Sequence, residues 1–64
     1  MYRMIEVVGT SPKSIEQAIN AAIEGLDKAG EKVYWFEVLE QRGAVREGKV
    51  AEYQVKINAG VKAT

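Results

Sequence analysis

One stretch of this chain repeats its apolar residues with the period of an α-helix, and only one does so. Ile15, Ala18, Ile19, Ala22, Ile23 and Leu26 fall at i, i+3, i+4, i+7, i+8 and i+11, which lines them along one face of a helix. Asn20, Glu24, Asp27 and Lys28 take the opposite side. Thr10-Ser11-Pro12 reads as the start, with Ser11 as cap and Pro12 at the first helical position, where a missing N–H costs nothing, and Ser14 reads as a further cap residue. Gly30 reads as the stop, with Lys28 favourably placed at the negative end of the helix dipole. A single helix has one apolar stripe to bury, and the only partners on offer are the extended segments that flank it.

Those segments read as strands. Tyr2–Val8 forms a first strand ended by Gly9. A second runs from about Val33 to Arg42, rich in aromatic and β-branched residues, with Gly43 as a bulge or bend. Glu47-Gly48 suits a hairpin turn, and a third strand follows from about Lys49 to Asn58. The tail from Gly60 to Thr64 reads either as an extension of that strand or as a frayed end. A helical return makes strands one and two parallel in direction, and the hairpin makes strand three antiparallel to strand two. An all-antiparallel sheet then needs strand three in the middle. The expected fold is α+β, one β-α-β-β domain over residues 1–64, with strand order 1-3-2 and one helix on one face.

Alternation within the second strand sorts Tyr34, Phe36 and Val38 onto the face expected to meet the helix. Trp35, Glu37, Leu39 and Gln41 fall on the other. Trp35, the only tryptophan, is thus expected on the open face. An indole there presents roughly 150–250 Å² of ring surface, and covering it at about 25 cal/mol per Å² is worth several kcal/mol. A 64-residue chain has no further layer to supply, so the cover is a second subunit or a flat ligand. Tight hairpin pairing would set Gln41 opposite Gln54 and Leu39 opposite Lys56, with Trp35 and Gln54 on the same side. Trp35 can stack on a flat heteroaromatic ring, and Gln54 offers one acceptor and two donors for its edge. An indole that only anchors an interface between protein chains is the competing reading, since tryptophan is enriched at such anchors.

Composition narrows the chemistry. The chain has no cysteine and no histidine, which removes disulfides, thiolate metal sites and the commonest general base. Domains this small bury only about 60% of their unfolded surface and usually need a disulfide, a metal or oligomerisation. Oligomerisation is what remains. Nine basic residues balance nine acidic ones, leaving no net field toward nucleic acid or a membrane. No stretch is apolar enough to span a bilayer, and the N-terminus lacks the apolar core of a signal peptide. With zero cysteine, this fits a cytoplasmic protein. Glu37 and Glu40 fall on opposite strand faces, while Glu6 and Glu52 are candidate cross-strand neighbours; such carboxylates read first as solvated or interface ion pairs. Gly9-Thr10-Ser11 lacks the spacing of a phosphate-binding loop and reads as ordinary capping. Arg42, Arg46 and Lys49 gather near the hairpin tip, enough for one phosphate at most.

Gly9-Thr10-Ser11-Pro12 after the first strand, Trp35-Phe36-Glu37-Val38 opening the second, Arg42-Gly43, and Tyr53-Gln54-Val55 in the third together resemble the dodecins. The resemblance covers nearly the whole chain. It implies a hollow dodecamer of this one subunit, in which flavins bind as stacked pairs between symmetry-related tryptophans and a glutamine on the last strand meets the isoalloxazine edge. Trp35 and Gln54 hold those positions, Phe36 adjoins the tryptophan, and Arg42 and Arg3 match recurrent basic positions. The implied role is storage of flavin and suppression of its photochemistry, not enzymatic turnover. FMN and riboflavin are the expected ligands, ahead of FAD. Gly60-Val61-Lys62 stands where bacterial relatives commonly have Gly-aromatic-Arg, so the coenzyme A contact of some members is not carried over. A structural or adaptor oligomer, using the Trp35 face only for protein contacts, is the alternative.

Overall fold

In the computed structural model, which describes residues 1–63, the chain runs β1 (Tyr2–Ser11), α1 (Ile15–Lys28), β2 (Val33–Arg46) and β3 (Lys49–Lys62). The sheet is fully antiparallel in the order β1-β3-β2, as the connectivity requires. The end of the tail, Thr64, lies outside the described residues; up to Lys62 the tail extends β3. No helix among the described residues is long and apolar enough to cross a membrane.

The strands are longer than the sequence pattern suggests. β1 continues through Gly9, which pairs with Val55, to Ser11, which pairs with Tyr53. The helix therefore starts later, and its cap is Ser14: the Ser14 hydroxyl accepts from the Gln17 amide at 3.0 Å. Ser11 instead accepts from the Lys13 amide at 3.0 Å and, buried, closes the turn between strand and helix. Gly9 permits this junction because a Cβ there would run into the Ala18 carbonyl oxygen and lie 2.8 Å from the Ala22 Cβ. At its other end the helix stops as the sequence indicates. Gly30 has φ +90°, and the amides of Gly30 and Glu31 each donate at 3.0 Å to the carbonyls of Asp27 and Leu26, the paired bonds of a Schellman motif.

Val55, Ile57, Ala59 and Val61 of the central strand are at most 1% exposed, and Ala18, Ala22 and Leu26 of the helix close over the sheet. Ile15, Ile19 and Ile23 flank this line half-buried. The helix packs chiefly on β1 and β3 and barely reaches β2. Geometry explains the limit: a helix about 10 Å across spans roughly two strands set about 4.8 Å apart. Phe36 and Val38, expected in the core, accordingly remain 43% exposed, whereas Tyr34, expected on the same face, is the extra residue of a bulge and turns its ring to Tyr2 on the open face.

Three irregularities bend the β2–β3 pairing. Tyr34 and Leu39 are each an extra residue on β2, and Ala51 is an extra residue on β3. The third offsets the tight-hairpin register, so Arg42, not Gln41, lies opposite Gln54. Gly43 is regularly paired with Tyr53. The bulge at Leu39 reverses the alternation beyond it, since one added residue exchanges the two faces. Glu37, opposite Asn58, and Glu40, opposite Lys56, consequently share the open face, contrary to simple alternation. Glu6 faces Asn58 and Glu52 faces Ala44, so these two carboxylates do not meet. Glu6 instead lies 4.0 Å from the Lys56 ammonium, an exposed pair of little energetic weight.

Candidate functional site

The open face of the sheet, away from the helix, carries the distinctive side chains at its two ends. At one end Trp35 pairs with Gly60, and its indole lies over the bare Gly60 backbone: a Cβ on Gly60 would overlap three of the ring carbons. Tyr2, reaching across from β1, meets the indole edge-on with ring centroids 5.1 Å apart and planes at 74°. Tyr34 meets Tyr2 in the same manner at 5.5 Å. The ammonium of Lys62 sits 5.7 Å from the Tyr2 ring centre, and that of Lys32 sits 5.6 Å from the Tyr34 ring centre. The indole stays 43% exposed. It is a supported aromatic plate with a free side.

The other end is polar. Arg42 Nε donates to Gln54 Oε1 at 2.6 Å, and Gln54 Nε2 donates to Glu52 Oε1 at 2.8 Å. These partners fix which way the amide points, since a guanidinium can only donate and a carboxylate can only accept. Gln54 keeps one N–H and one oxygen lone pair for a further partner. Val8, Glu40 and Lys56 join Arg42 and Gln54 around a shallow depression here.

Trp35 and Gln54 share the open face as expected, but one chain does not bring them together. Gly60, beneath the indole, lies six residues along β3 from Gln54, a separation of about 20 Å at the rise of a strand. Arg42 sits beside Gln54. Arg3 and Phe36 belong to the helix side of the sheet, where they pair with Val61 and Ala59. Arg3 makes a 2.7 Å ion pair there with Glu31. Arg46 pairs with Lys49 at the hairpin tip, whereas Arg42 lies four residues back along β2, opposite Gln54. Among the described residues no three His, Cys, Asp or Glu side chains are grouped to hold a metal ion.

Two contributors escape a reading of the sequence for site residues. Glu52 orients Gln54, and its signal is the i, i+2 spacing that puts both on one strand face. Tyr2 braces Trp35, which follows only once strand order and register set β1 and β2 on either side of Gly60.

The chain matches the family described as Dodecin over residues 1–63. The dodecin of Thermus thermophilus is 42% identical over 62 residues, which span 97% of this chain and 90% of that protein. The solved structure of dodecin from Streptomyces coelicolor superposes with a TM-score of 0.94 at 39% identity, covering 100% of this chain and 91% of that one. The calcium dodecin of Mycobacterium tuberculosis is 31% identical over 62 residues, 97% of this chain and 87% of that protein. Matched along nearly its whole length in sequence and in β-α-β-β architecture, this chain belongs to the dodecin family.

Proposed function

We propose that this protein binds flavin and stores or sequesters it in the cytoplasm, as a homo-dodecamer and without catalytic turnover. The observation that carries the reading is the Trp35 plate, exposed on one side, on the same sheet face as an oriented Gln54 amide yet about 20 Å from it along the strand. Two copies related by a two-fold axis run in opposite directions across the axis. Such a pair sets the aromatic end of one subunit against the polar end of the other. A flat ligand between them stacks on indole and meets Gln54 at its edge, and the remaining N–H and lone pair of Gln54 suit the alternating carbonyls and ring nitrogens of an isoalloxazine.

The ligand is FMN or riboflavin, with FAD third. Arg42 is the proposed phosphate contact, because Arg3 is engaged with Glu31 on the helix side. Phe36, on the helix side of the sheet, is proposed to pack against a neighbouring copy rather than against the ligand. Indole stacked on an excited flavin returns it quickly to the ground state by electron transfer, which supplies the photoprotective role. With each flavin stacked between an indole and a second flavin, and no His or Cys in the chain, nothing is placed to turn over a substrate.

Flavin titration followed by fluorescence tests this. Wild-type protein should quench added FMN or riboflavin strongly. Trp35→Ala should weaken binding by roughly a hundredfold, the loss of most of the stacking area. Gln54→Ala should cost about 1–2 kcal/mol, as one hydrogen bond. Repeating FMN at high salt shows whether Arg42 meets its phosphate. A colourless wild-type protein that takes up neither flavin refutes the reading and leaves the adaptor oligomer in its place.

A further inference from the structure

We infer that Gly60 and Tyr2 are positioning residues that fix the plane of the Trp35 indole before any ligand arrives. The consequence for affinity rests on the flavin reading above, whereas the fixed indole itself is a property of the empty protein.

Gly60 lies in the central strand, paired with Met4 on one side and Trp35 on the other. Glycine weakens a strand interior and commonly marks a place where another group approaches the backbone closely. Here that group is the indole, which occupies the space a Cβ would fill. Any side chain at this position would lift the ring off the sheet and tilt it. Gly60 is the floor of the plate. Tyr2 is its wall. The edge-on contact of Tyr2, at 5.1 Å and 74°, is a favoured arrangement for two aromatic rings, and it blocks the indole from swinging toward β1. Tyr2 is itself held by Tyr34, again edge-on, and by the Lys62 ammonium over its ring.

The arrangement matters because a free side chain must be immobilised when a ligand stacks on it, at the expense of affinity. Floor and wall make that payment during folding. A simpler role, in which Trp35 only shields Gly60 to support the strand, needs no ring at position 2. A leucine would serve that role about as well as a tyrosine.

Trp35 is the only tryptophan, so its fluorescence anisotropy decay reports this one side chain. The test compares wild type, Tyr2→Leu, Tyr2→Phe and Gly60→Ala, each first shown by native mass spectrometry to keep the wild-type assembly. In the flavin-free proteins, Tyr2→Leu and Gly60→Ala should gain a fast local component in the decay that wild type lacks. Tyr2→Phe, which keeps the ring, should restore the wild-type decay. FMN dissociation constants should rise at least fivefold for Tyr2→Leu and more for Gly60→Ala, and return to within twofold for Tyr2→Phe. If Gly60→Ala does not fold, Tyr2→Leu decides, because Tyr2 is half-exposed and outside the core. A wild-type decay in Tyr2→Leu overturns the inference, and so does a fast component already present in wild type. If wild type binds no flavin, the functional reading falls, and the decay of the empty proteins alone settles whether the indole is fixed.

Discussion

The helix-side faces of β3 and β2 lie side by side in one sheet and have opposite fates. On β3, Val55, Ile57, Ala59 and Val61 are sealed beneath the helix. On β2, Phe36 and Val38 point to the same side and stay more than two-fifths exposed. The two sets are about equally apolar, so hydrophobicity does not separate them. Reach does: one helix covers two strands, and a third strand built for a core has none of its own. The contrast teaches that folding alone seals β3, while the apolar face of β2 is left for the assembly proposed above, a division of burial between folding and assembly. An exposed apolar strand at a sheet edge otherwise invites indiscriminate pairing, which the proposed closed oligomer would prevent.

The most severe way to break this division is at its buried half. Ile57, fully enclosed between sheet and helix, should cost about 2–5 kcal/mol when truncated in Ile57→Ala. For a domain this small that is a large part of its whole stability. Urea unfolding should show the midpoint collapse together with helix content. A shift of less than about 1 kcal/mol would mean that β3 is not the centre of the subunit's stability.

The next test is at the open half. Phe36→Ser removes an aromatic ring that the subunit leaves 43% exposed, so it should act chiefly on assembly, at about 1–3 kcal/mol for each contact between copies. Native mass spectrometry at micromolar concentration should find wild type as one large closed species, twelve subunits by the family resemblance. The variant should shift toward smaller species. Wild type appearing mainly as monomer or dimer would remove the division altogether, and so would a Phe36→Ser protein that unfolds as Ile57→Ala does.

The same division explains what the sequence discloses. The helical stripe and the strand order 1-3-2 are legible because period and connectivity are local or nearly so. Trp35 and Gln54 are legible as a shared face because two bulges, at Leu39 and Ala51, offset each other between them. Glu37 and Glu40 are misassigned by alternation because only one of those bulges separates them, and an extra leucine in a strand carries no compositional mark. Ser11 looks like a helix cap and is a buried turn residue, because the strand runs on through Gly9 wherever the helix needs a bare backbone against Ala18 and Ala22. The exposure of Phe36 and Val38 is beyond alternation altogether. It depends on the width of a helix, which no periodicity records.

The smallest effect expected is at the hairpin that joins the two strands, Glu47-Gly48. Both residues have positive φ, 53° for Glu47 and 76° for Gly48, the primed turn that matches the twist of a tight hairpin. Gly48 adopts this backbone without strain, whereas Glu47 carries a Cβ into the left-handed region. Asparagine enters that region more readily than glutamate, since its short side chain bonds the local backbone. Glu47→Asn should therefore stabilise the subunit by up to about 1 kcal/mol, read as a rise in the thermal midpoint. It should do so without changing the mass of the assembly, because the turn belongs to the folding half of the division. A gain in midpoint that appears only in the assembled protein, and vanishes in a Phe36→Ser background, would instead place the hairpin tip among the contacts between copies.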